Sequence, residues 1–147
     1  MKKFALLCIS IIFAFAMFGC FTVSKTNDNN EKFSMNGSVA YGAVDKDNLD
    51  KTKITYNIVI SGDKEDINSI ETQEPLINTE YIDLMLENGP HSAQVKGGEN
   101  PYLEITGSFV FDTAGKSKKE IEDMRLFQGV KLIDKDNNEY ILKFNRH

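Results

Sequence analysis

The sequence predicts an all-β sandwich of about seven strands, with one short helix ahead of a C-terminal hairpin. Three observations carry that expectation. From Ser34 onward, apolar residues fall at every second position in short runs, which is the period of half-buried strands. Clusters of Asn, Asp and Gly punctuate the runs at turn-like intervals. Only one stretch, 117–124, carries a helix start signal followed by helical apolar spacing.

The strands follow in order. Ser38 to Val44 sets Val39, Tyr41 and Ala43 on one face. Thr52 to Ile60 alternates more cleanly, with Ile54, Tyr56, Ile58 and Ile60 on the apolar side, and Ser61-Gly62-Asp63 ends it. Residues 66–78 obey neither period and contain Pro75, so a short strand and a connecting turn both remain open there. Tyr81 to Glu87 alternates Ile82, Leu84 and Leu86 against polar neighbours and is expected to close at Asn88-Gly89-Pro90. Ala93 to Lys96 makes a short edge strand before Gly97-Gly98. Tyr102 to Phe111 is the longest run and the expected central strand, with Leu103, Ile105, Gly107, Phe109 and Phe111 on one face. Ser117 with Glu120 three residues on makes a capping box, and Ile121 and Met124 supply one apolar helical turn. Gly129 to Asp134 and Glu139 to Phe144 then form a hairpin around Lys135-Asp136-Asn137-Asn138.

A long strand, a helical turn and a closing hairpin resemble the end of immunoglobulin-like domains. The whole run, about residues 36 to 145 of a domain expected over 36–147, resembles the small Ig-like domains of bacterial envelope lipoproteins. That resemblance is architectural and transfers no functional residue.

The N-terminus reads differently. Met1-Lys2-Lys3 is a positive start, and Phe4 to Phe18 is an apolar run of signal-peptide length, short of the roughly 20 residues a spanning helix needs. It ends in Met17-Phe18-Gly19-Cys20, which resembles the lipobox of bacterial lipoproteins. The resemblance implies cleavage of residues 1–19, a diacylglycerol thioether on Cys20 with further acylation by chains such as palmitate, and attachment to the extracytoplasmic face of the cell membrane. An uncut membrane helix over residues 4–23 is the competing reading. Residues 20–35 are expected to be the lipidated cysteine and a flexible, polar tether.

Cleavage after Gly19 leaves 128 of the 147 residues, enough for one domain with a core of its own. Losing Lys2 and Lys3 moves the formal charge from −5 to −7, which argues against nucleic acid as a partner. Of the two cysteines, Cys8 leaves with the leader, so no internal disulfide can form and a core without tryptophan must stabilise the domain. A monomer without a cofactor is expected.

Candidate chemistry is sparse. His91 and His147 are the only histidines. Ser92 adjoins His91, but neighbours on an extended chain point to opposite faces and form no dyad by default. His91 therefore reads as a loop histidine after Asn88-Gly89-Pro90. Asp134, Asp136 and Asn138 alternate like the first half of a calcium loop, yet Glu139 stands where glycine is required and Asn145 where the closing glutamate is required. Asp45, Asp47 and Asp50 make a second incomplete set. Gly97-Gly98 leads into no helix, so it is not a phosphate cradle, and Lys116, Lys118 and Lys119 alternate with acids as an exposed face does. The sequence thus points to a lipid-anchored, non-catalytic module that binds a protein, peptide or glycan. Two rivals stand beside it. One is an inhibitor or immunity lipoprotein that inserts a loop such as Asn88–Pro101 into a hydrolase; the other is an enzyme using Asp83, Glu104 and Asp112.

Overall fold

A computed structural model describes residues 17–24, 32–46 and 48–145. It is an all-β sandwich of two antiparallel sheets. The elements in chain order are β1 (Met17–Ser24), β2 (Phe33–Asp45), β3 (Asn48–Gly62), α1 (Lys64–Ser69), β4 (Ile70–Ile77), a 3-10 helix (Thr79–Leu84), β5 (Met85–Lys96), β6 (Tyr102–Asp112), α2 (Lys118–Asp123), β7 (Phe127–Asp134) and β8 (Glu139–Lys143). One sheet has the order β1-β2-β3-β6-β5 and the other β4-β7-β8. Counted from β2, the first, second, fifth and fourth strands face the third, sixth and seventh, which is the strand order of the constant-type immunoglobulin sandwich. Cys20 lies on β1, where its backbone pairs with Ala40 of β2. The leader through residue 16 lies outside the described residues, as does His147.

The inner faces follow the period-2 pattern. Ile54, Tyr56, Ile58 and Ile60 of β3 are buried, as are Leu103, Ile105, Phe109 and Phe111 of β6 and Val39 and Tyr41 of β2. From the other sheet Phe127, Val130, Leu132 and Leu142 close over them. At the centre the Tyr56 ring stacks on Phe127 across the sandwich at 4.4 Å and beside Phe109 within its own sheet at 5.7 Å. Such aromatic pairs add about 0.5–1.5 kcal/mol each beyond their buried area. β6 is an interior strand, paired with β3 and β5, but β3 is the middle strand of the five and, at 15 residues, the longest. The core also starts earlier than residue 36: Phe33 and Met35 are buried, and Phe33 meets Tyr140 edge-on at 5.0 Å.

Two segments differ from the sequence reading. The span 66–78 holds the end of α1, which buries Ile67, and then β4. Pro75 is tolerated because β4 is an edge strand with a partner on one side only. The span 81–87 is not a strand in its first half. Asn78 fixes it instead: its backbone N–H donates to Leu126 O at 2.9 Å, its side-chain amide donates to Met124 O at 2.8 Å, and its side-chain oxygen accepts from Glu80 N. A three-residue period follows, so Tyr81 and Leu84 pack on the core while Ile82 is exposed. α2 forms where expected, with the Ser117–Glu120 capping box complete and Ile121 and Met124 buried.

Candidate functional site

Among the described residues, a row that combines a titratable pair with a concavity crosses β5, β6 and β3 at His91, Gly107 and Tyr56. Register places His91 opposite Gly107, and Gly107 opposite Tyr56. Because Gly107 has no side chain, the phenol of Tyr56 lies over it and reaches the imidazole Nδ1 of His91 at 2.8 Å. Burial pushes the Tyr56 phenol up to about 12, so it remains a protonated hydroxyl at neutral pH. A hydroxyl can both donate and accept, so the Tyr56 phenol can meet Nδ1 in either role, and the contact fixes the orientation of the ring.

β5 kinks beside this row. Its register to β6 shifts between Asn88 and His91, a bulge that brings the Gly89 backbone against Ser108. A Cβ at Gly89 would lie 2.7 Å from the Ser108 carbonyl oxygen, so glycine is required for that approach. The kink leaves an open hollow of about 210 Å³ lined by Pro90, His91, Ser92, Thr106, Gly107 and Ser108.

The sequence-predicted residues distribute as follows. His91 is on a strand, not in a loop, and its partner is Tyr56, 35 positions away, while Ser92 opposes Thr106. Asn88-Gly89-Pro90 does not end a strand; it is the bulge within β5. The protruding loop expected over Asn88–Pro101 is therefore mostly strand, and only the turn after Lys96, through Gly97 and Gly98, projects. Glu104 and Asp112 stand eight residues apart on β6, about 27 Å at 3.4 Å per residue, so they do not converge. Glu104 is paired with Lys96, and Asp112 accepts from Ala114 N at 3.1 Å. Asp83 is on the 3-10 helix.

Asp134 is nearly buried and points into its own hairpin. Its carboxylate accepts from the side-chain amide and backbone N–H of Asn138, from the Tyr140 hydroxyl and from Asp136 N–H. Those bonds, the Asn138 side chain's first among them, hold its pKa down to about 2. The half-calcium motif is thus a hairpin clasp around Asn137, whose φ is 62°. In the other acidic turn, Asn48 Oδ1 accepts from Asp50 N at 2.8 Å, while Asp47 lies outside the described residues. Among the described residues no three His, Cys, Asp or Glu side chains group to hold a metal ion, and no helix is long and apolar enough to cross a membrane. Lys119 pairs with Asp123 one turn along α2 at 2.6 Å.

Comparison of the chain with protein-family models, with curated proteins and with solved structures finds no match.

Proposed function

We propose that the chain is an extracytoplasmic membrane lipoprotein, held by lipid on Cys20, whose sandwich is a non-catalytic binding module for a protein, peptide or glycan. The observation that carries the anchor is the order of the first 20 residues: positive start, apolar run of signal length, small residue, cysteine. Two acyl chains would hold the domain at a membrane surface stably where one would not. The binding reading draws support from the disposition of the polar groups. His91 is engaged by the phenol of Tyr56, which burial keeps protonated, and Glu104 and Asp112 are separated along one strand. For the inhibitor alternative, most of the segment meant to enter an enzyme cleft is an edge strand with a bulge, which leaves the turn after Lys96 as its entering loop.

The test uses the full chain. Cys20→Ser should prevent lipidation and cleavage after Gly19 without changing the thermal unfolding of the domain, and the wild-type protein should bind envelope material saturably without turning over peptide, ester or glycan substrates. Turnover abolished by His91→Ala would overturn the reading and place an enzyme first.

A further inference from the structure

The outer face of the five-stranded sheet has an unusual centre. Across four strands, register aligns Ser38 of β2, Asn57 of β3, Thr106 of β6 and Ser92 of β5 in one row. The next row aligns Ala40, Thr55 and Ser108. Alternation sends these side chains outward, because their neighbours Val39, Tyr56, Ile58, Ile105 and Phe109 are buried inward; Asn57, Thr55 and Ser92 are exposed, whereas Ser108 is buried beneath Gly89 of the bulge. Although 27% of the chain is charged, neither row carries a charge, and the hollow beneath the β5 bulge opens at their end.

Building on the binding-module reading, we infer that this face binds a neutral glycan chain, with one sugar unit seated in the hollow and the following units lying across the Ser92–Thr106–Asn57–Ser38 row. Three considerations select that ligand class. At about 210 Å³ the hollow falls below the 300–1,000 Å³ typical of sites that enclose a whole compact ligand, so it suits one small unit of a longer chain. Four strands at roughly 4.8 Å spacing extend the row by about 14 Å, room for the units that follow. The row offers hydroxyls and an amide, which donate and accept as sugar hydroxyls do and cost far less to desolvate than charges.

The same face fits other partners poorly. Protein interfaces centre on aromatic and Arg anchors, and neither row has one. An anionic polymer would meet no cation in these rows and a chain of formal charge −5. An extended peptide would add along an edge strand, whereas the row runs across β3 and β6, which pair on both sides, and reaches the edge strand β5 only at Ser92, beside its bulge.

Isothermal titration of the full chain in detergent with short neutral hexose and N-acetylhexosamine oligomers tests the assignment, with a sulfated polysaccharide and an unstructured peptide as rival ligands. Saturable binding of a neutral oligomer is expected. It should weaken about tenfold or more in Asn57→Arg and in Ser92→Arg, both at exposed positions, and stay unchanged in Ile141→Arg on the outside of β8. Thermal unfolding of each variant checks that the fold is retained. Absence of neutral-oligomer binding, tighter binding of the sulfated chain or the peptide, or equal loss in Ile141→Arg would overturn the assignment. If the full chain ignores neutral oligomers yet captures an envelope protein saturably, the glycan assignment falls while the binding-module reading stands; if it captures neither, both fall.

Discussion

Gly107 should not accept even a methyl group, and the sign of the effect identifies the cause. An alanine Cβ there would lie 2.5 Å from Cζ of Tyr56 and nearer still to the hydroxyl. The ring cannot easily swing away, because Phe127 stacks on it at 4.4 Å and Phe109 flanks it at 5.7 Å. Overpacking of this kind costs about 1–3 kcal/mol. Replacing glycine in a strand would by itself return roughly 0.5–1 kcal/mol, so Gly107→Ala should destabilise by about 1–2 kcal/mol net. For a domain of this size that is a fall of about 4–8 °C in Tm, readable by circular dichroism. In a Tyr56→Leu background nothing reaches over residue 107, and the same substitution should become neutral or stabilising. A Gly107→Ala protein as stable as wild type, or a penalty that persists with Tyr56→Leu, would refute the placement of the phenol and with it the His91 contact.

Further outcomes follow from the same packing and electrostatics. Phe109 is 3% exposed, so Phe109→Ala should cost about 3–5 kcal/mol in denaturant unfolding. Ser117→Ala removes the cap of α2 and should cost about 1 kcal/mol by the same assay. Asp134 has a folded pKa of about 2, below its ordinary 3.8, so it adds stability above about pH 4 that is lost as pH falls towards 2. Asp134→Asn should flatten that part of the stability profile, and an unchanged acid limb would contradict the hairpin clasp.

Sequence period was a good guide wherever one strand face met the core. Ile54, Tyr56, Ile58 and Ile60 all point inward because a one-residue slip would expose them all. Ser117 and Glu120 were legible because a capping box is a local interaction. The misread segments are governed by distant contacts. Residues 81–84 alternate like a strand, but Asn78 is tied to Met124 and Leu126, and those bonds set a 3-10 turn that no local pattern announces. Asn88-Gly89-Pro90 divides β5 in the sequence, because a bulge built of turn residues has the composition of a turn and only the distant Ser108 against Gly89 distinguishes the two. The candidate site was hidden for the same reason. His91, Gly107 and Tyr56 are brought together only by strand register, and a glycine in an apolar run gives no sign that a phenol lies over it.

The proposed anchor is tested most directly by intact and top-down mass spectrometry of the full-length gene product recovered from a bacterial membrane fraction. The expected species is a mature chain beginning at Cys20 and carrying a diacylglycerol thioether, with residues 1–19 absent. An unmodified chain still beginning at Met1 in that fraction would contradict it.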